Sequence, residues 1–185
     1  MAYDPVTEES NTFLGVFARD TLPKCVAQPY PYGLIANTSR DADDDGGTHW
    51  VAIWVSTSTD SELFDSFGRT SLTYGVEFDA FIRRHAYQCQ GRYKESNIQV
   101  QHPSSNYCGL FCLFYMYHEV RGLAMSRIVF MFSYPKNLKS NDALLSKFAR
   151  HKLHFCNNAR KCVDSDVDEK YAMISLKMYK LMYTQ

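Results

Sequence analysis

The sequence predicts an α+β fold in which a mixed central sheet packs against one buried helix, with further helices outside. Three observations carry that expectation. Trp50-Val51-Ala52-Ile53-Trp54-Val55 is an apolar, β-branched and aromatic run of strand length, followed by a Ser/Thr-rich turn and a second strand, Glu62-Leu63-Phe64-Asp65. Leu110, Phe111, Leu113, Phe114 and Met116 make Cys108 to about Glu119 apolar nearly all round, the mark of a helix sunk in a core. Glu77 to Tyr87 places Phe78, Phe81, Ile82 and His85 at helical spacing, with Arg83 and Arg84 on the other side. Strands and helices of this kind bury their apolar faces by stacking in layers.

Taken in order, Thr12–Leu22 is a mixed segment leading to Pro23. Tyr30-Pro31-Tyr32-Gly33 marks a turn before the short apolar stretch Leu34–Asn37, and the acidic, glycine-ended run Asp41–Gly47 is a solvated loop. Asn97–Gln101 alternates like a short strand, and Pro103–Asn106 is a polar loop before the core helix. Pro135 interrupts the chain again, Ala143 to about Lys152 is amphipathic, and Asp168–Tyr183 has Tyr171, Ile174, Met178 and Leu181 on one side of a final helix. With 185 residues, 45% of them apolar and 15% aromatic, one well-filled core is expected and hence a single domain over 1–185, with a helical extension over 163–185.

Twenty basic and twenty acidic residues cancel, so net charge gives no argument for nucleic acid or an anionic membrane as an obligatory partner. The N-terminus is polar and acidic, and no stretch approaches the ~20 apolar residues of a membrane span. The expectation is a soluble chain that is not secreted. Its six cysteines, irregularly spread, then read as thiols in a reducing compartment. His151, His154, Cys156 and Cys162 crowd together, but their spacing fits no common zinc pattern, so no metal site is expected.

The chemistry lies in four residues and their order: His49, Asp65, Gln101, Cys108. A thiol acyl-transfer site needs a base, a group that orients it, a donor for the oxyanion and a nucleophile. With the hairpin turn centred near Thr57, His49 falls opposite Asp65, so a separation of 16 residues becomes contact distance. The carboxylate then fixes the imidazole tautomer while the other ring nitrogen faces the thiol. Cys108 opens the core helix, where unpaired N–H groups and the helix dipole favour a thiolate, and Gly109 lets substrate come close to the backbone. Gln101 would supply one oxyanion donor and the Cys108 amide the other. Cys112, one turn further in, reads as core filler. Each of these residues alone has an ordinary structural reading; the conjunction points to a cysteine peptidase.

Gly-Gly-Thr-His-Trp, Leu-Phe-Asp-Ser-Phe-Gly, Gln-x-Pro and Cys-Gly-Leu-Phe-Cys together resemble the adenovirus endopeptidase family and its relatives in adenovirus-like viruses and Polinton/Maverick elements. The resemblance extends over about residues 12–158 through Phe13-Leu14-Gly15, Ile35-Ala36-Asn37-Thr38, Tyr134-Pro135-Lys136-Asn137 and Phe148-Ala149-Arg150-His151. It implies Cys108 as nucleophile, His49 as base, Asp65 as its orienting acid and Gln101 as oxyanion donor, with the ring face of Trp50 against the imidazolium. It also implies a viral or transposon-borne maturation protease that cuts virion precursors, located in the host nucleus or virion. The family's accessory factors, a peptide joined by a disulfide and DNA, are expectations on the same footing. The place of the linking cysteine falls on Gln90, with Cys89 beside it as the candidate. Arg83, Arg84, Arg92 and Lys94, or Arg127, Lys136 and Lys139, are the candidate DNA track. The competing readings are an isopeptidase of the ubiquitin-like-protein protease type and a silent binding module with the same fold.

Overall fold

The computed structural model describes residues 12–24, 26, 29–41, 48–86 and 91–152. The expected final helix, most of the acidic loop, Cys89, and His154, Cys156 and Cys162 lie outside them. Among the described residues, five strands form one sheet in sequence order: β1 (Phe13–Phe17), β2 (Tyr32–Asn37), β3 (Trp50–Val55), β4 (Asp60–Phe64) and β5 (Arg92–Glu95). The sheet is mixed, antiparallel across β2, β3 and β4 and parallel at both edges.

The helices are α1 (Val76–Ala86), α2 (Cys108–Glu119), α3 (Met125–Val129) and α4 (Ser140–Lys152). Alternation along β3 divides the core in two. Ala52 and Trp54 join the α2 side with Phe111, Phe114 and Phe148, while Val51, Ile53 and Val55 join the α1 side with Phe78, Phe81 and Ile82. A sheet covered on both faces explains why β2 and β3 are almost continuously apolar. Phe111 and Tyr115 of α2 are fully buried, and the Tyr115 ring stacks on Phe64 at 4.8 Å.

Several expectations shift. The Thr12–Leu22 segment contains β1 and a short 3-10 turn, β2 begins within the expected turn at Tyr32, and α4 starts at Ser140 rather than Ala143. Asn97–Gln101 forms no strand; the pairing partner of β4 is Arg92–Glu95, just upstream. Alternation misleads there because the segment's polar atoms are satisfied by side chains and by the turn after β4 instead of by a ladder: the Val100 and Gln101 amides both donate to the Ser66 carbonyl at 2.9 Å.

Candidate active site

His49 stands one residue before β3 and Asp65 one residue after β4, so the hairpin carries both past the last paired residues. The register differs from expectation: Ala52 pairs with Phe64 and Ile53 with Leu63, which sets position 51, not 49, against Asp65. His49 reaches Asp65 diagonally. Because side chains alternate with period two, a two-residue offset keeps both on the same face. Nε2 lies 2.6 Å from Asp65 Oδ1, and both residues are buried, at 5% and 0% exposure.

The Asp65 carboxylate is saturated. Oδ1 also accepts from the Phe67 amide at 2.9 Å; Oδ2 accepts from the Arg69 amide at 2.9 Å and from the Tyr74 hydroxyl at 2.6 Å. Its backbone is gripped as well, its amide donating to Ser96 Oγ at 2.7 Å while the Ser96 hydroxyl donates to its carbonyl at 2.9 Å. Burial opposes the carboxylate charge, yet the His49 hydrogen bond and charge, with Tyr74 and the Phe67 amide, hold the carboxyl below its usual range. Burial likewise disfavours a charged His49, but Asp65 and then Cys108 outweigh it and raise the imidazole to about 9. The other ring nitrogen, Nδ1, is buried with no hydrogen-bond partner. Cys108 is the second group, after Asp65, whose hydrogen bond and charge raise the imidazole, so it acts on the same ring.

Cys108 is the first residue of α2, half-buried, and its N-cap Tyr107 provides no side-chain cap to the first-turn amides. Gly109 behind it is buried. Gln101 is 1% exposed, which overrides the default of a solvated glutamine. Its Oε1 accepts from the Ser66 hydroxyl at 2.5 Å, and Nε2 donates one hydrogen to the Ser105 carbonyl at 2.6 Å, leaving the second N–H for another acceptor. Cys112 is fully buried, as expected of core filler, but it also donates from Sγ to the Trp50 carbonyl at 3.3 Å, tying α2 to the start of β3.

Trp50 departs from expectation. The rings set against His49 are Phe67, at 4.7 Å between centroids, and Tyr74, at 5.6 Å, whereas Trp50 packs against the α2 cluster. Period two again gives the reason: positions 49 and 50 face opposite sides of the sheet. Tyr74, Ser66 and Ser96 escaped the sequence reading, because a lone tyrosine in a turn or a serine among many carries no spacing signal. Among the described residues no group of three or more His, Cys, Asp or Glu side chains is placed to hold a metal ion. Nor is any helix there long and apolar enough to cross a membrane.

The sequence profile of the adenovirus endoprotease family matches residues 13–162. Relatives include the protease of Bovine adenovirus 2, 33% identical over 112 residues, which are 57% of this chain and 53% of that one. The protease of Human adenovirus B serotype 3 is 33% identical over 113 residues, 57% and 53% of the two chains. That of Snake adenovirus serotype 1 is 33% identical over 113 residues, 57% and 55%. The chain thus spans about half the length of the curated relatives it matches. Among solved structures, an ASFV protease aligns with a TM-score of 0.45 at 23% identity, covering 65% of this chain and 42% of that one, a likeness too loose to argue from. With most of its length inside the family profile, the chain belongs to the adenovirus endoprotease family.

Proposed function

We propose that the protein is a cysteine endopeptidase that cleaves viral precursor polypeptides during virion maturation. The observation that supports this best is the buried His49–Asp65 bond of 2.6 Å, whose imidazole keeps its second nitrogen unsatisfied beside the cysteine that opens α2. In this reading His49 Nδ1 takes the Cys108 proton and the sulfur attacks the scissile carbonyl. The oxyanion is held by the uncapped Cys108 amide and the second N–H of Gln101. His49 then returns the proton to the leaving amine, and water, activated by the same imidazole, hydrolyses the thioester. Asp65 stays ionised throughout and stabilises the imidazolium. Gly109, small and buried behind the nucleophile, leaves room for substrate beside the backbone.

The site of action proposed is the infected cell, in nucleus or virion. An activating peptide joined at Cys89 and stimulation by DNA rest on the family resemblance. Three cations of the candidate DNA track are already engaged: Arg83 with Asp79 at 2.7 Å, Arg92 with Asp60 at 2.9 Å and Lys94 with Glu62 at 3.2 Å.

The test is cleavage of a fluorogenic peptide library, with and without reductant and DNA. Cys108→Ala should abolish cleavage with an unchanged circular dichroism spectrum, and Gln101→Ala should lower kcat by about 10²–10³-fold, the scale of one oxyanion donor. Cleavage by Cys108→Ala at the parent rate would end the proposal.

A further inference from the structure

Two consecutive side chains at the start of α4 reach the segment that carries Gln101. Asn141, 2% exposed, donates from Nδ2 to the Val100 carbonyl at 2.7 Å and to the Ser133 carbonyl at 2.9 Å, while its Oδ1 accepts from the Ser133 amide at 2.8 Å. Asp142 Oδ1 accepts from the Ser105 hydroxyl at 2.8 Å. These partners bracket the carboxamide. Val100 precedes Gln101, and the Ser105 carbonyl accepts from Gln101 Nε2. Ser105 Oγ in turn accepts from the amide of Tyr107, the residue that caps the cysteine helix, at 3.3 Å.

The stretch from 96 to 107 contains no helix or strand, so no ladder fixes its shape. Side chains from outside do so: Ser66 from the turn after β4, and Asn141 and Asp142 from α4. A plain structural knot would explain why a buried asparagine is satisfied. It would not explain why the bonds from α4 fall on both sides of Gln101 and continue, through one hydroxyl, to the residue before Cys108.

We propose that Asn141 and Asp142 are positioning residues that hold the Gln101 carboxamide in oxyanion-binding register. This rests on the cysteine peptidase reading above. Neither residue touches substrate; each acts through Val100 or Ser105. Displacement of a catalytic group by about 1 Å costs up to about 10²-fold in rate, and loss of one of several braces costs part of that.

The experiment uses the intact chain and the peptide substrate found for it. Asp142 is half-buried, so Asp142→Ala threatens folding less than a change at Asn141. Asp142→Ala should lower kcat about ten-fold with KM nearly unchanged. Ser105→Ala should do at least as much, and the double variant no more than Ser105→Ala, because both remove the same bond. Asp142→Asn, which keeps an acceptor oxygen, should restore most of the rate. Alkylation of Cys108 by iodoacetamide, which forms no oxyanion, should proceed at the parent rate in all of them. Asn141→Ala, assayed below its own unfolding transition, should lower kcat further. A normal kcat in Asp142→Ala, multiplicative losses in the double variant, or alkylation slowed in step with kcat would overturn the brace. Failure of the peptidase reading shows differently: Cys108→Ala would then cleave normally, and the brace would fall with it.

Discussion

Replacing Asp65 by asparagine changes no heavy-atom count at the site and removes one charge. The wild-type carboxylate accepts four hydrogen bonds, two at each oxygen. The amide has one acceptor oxygen. If that oxygen faces His49 and Phe67, the new NH₂ meets the Arg69 amide donor against donor, though the Tyr74 hydroxyl can rotate to accept. If it is reversed, the Phe67 amide is orphaned and His49 Nε2 must accept, which moves the ring proton to Nδ1 and leaves the ring no free acceptor nitrogen. Either orientation leaves a buried N–H unpaired, at about 1–3 kcal/mol. The larger effect is on the imidazole, for which Asp65 is the main counterweight to burial. A fall from about 9 to the ordinary 6.5 corresponds to about 3 kcal/mol. The folded His49 pKa lies above the unfolded one, so the pair's contribution is complete below pH 6.5 and lost as pH rises through 9. The depressed Asp65 contributes above its unfolded pKa, about 4, and the contribution is lost as pH falls through the folded value. Asp65→Asn should therefore lower the Tm more at pH 5.5 than at pH 9.5, shift the His49 ring titration seen by NMR to 6.5 or below, and cut turnover by on the order of 10³–10⁴. An imidazole still titrating near 9, or an equal Tm loss at both pH values, would refute the account.

Tyr74→Phe deletes one of the four donors while keeping the ring near His49 and Phe78. A hydrogen bond to a buried charge is worth about 1.5–3 kcal/mol, and thermal unfolding near pH 6 should show a loss of that size, with the acid limb of stability moved upward as Asp65 loses support. An unchanged Tm and acid limb would remove Tyr74 from the network. Glu119 closes α2 against Glu62, where burial first, and then the facing carboxylate, raises its carboxyl to about 8. A folded acid pKa above the unfolded one makes stability decline as pH climbs from about 4.5 towards 8. Glu119→Gln should accordingly be nearly neutral at pH 5 and raise the Tm at pH 9, and a gain no larger at pH 9 than at pH 5 would contradict this.

The hairpin and both main helices were legible from apolar signals of the right length: β3 and α2 are nearly unbroken apolar runs, and Phe78, Phe81 and Ile82 are buried where the helical spacing of α1 puts them. The four candidate site residues were legible as an order along the chain. The details that failed each have a local physical origin. The register is off by two because turn length alone does not say which residues of Ser56–Ser61 pair, and the ladder keeps Ser61 against Val55. The edge strand β5 alternates only between charged residues and a single tyrosine, a pattern indistinguishable from solvated loop. The short helix α3 is too brief to show a period. Trp50, next to His49 in sequence, lies on the other face because a strand sends neighbours to opposite sides.

The run Leu63-Phe64-Asp65-Ser66-Phe67-Gly68 is contiguous for a reason that the geometry makes plain. After β4 ends, one turn serves two arms of the site. Asp65 and the Phe67 ring hold the imidazole; the Ser66 hydroxyl and carbonyl hold the side chain and amide of Gln101. Gly68 closes the turn, its amide donating to the Asp65 carbonyl at 2.9 Å, and its φ of +68° is one that a β-carbon disfavours. A β-carbon there would also stand 2.8 Å from the Gln99 amide nitrogen, inside the segment leading to Gln101. A bulkier residue must therefore move the Gln101 segment or the Asp65 carboxylate, since one turn carries both. The aspartate reaches the histidine because this turn, clamped by Ser96 and satisfied by its own amides, carries the carboxylate to it.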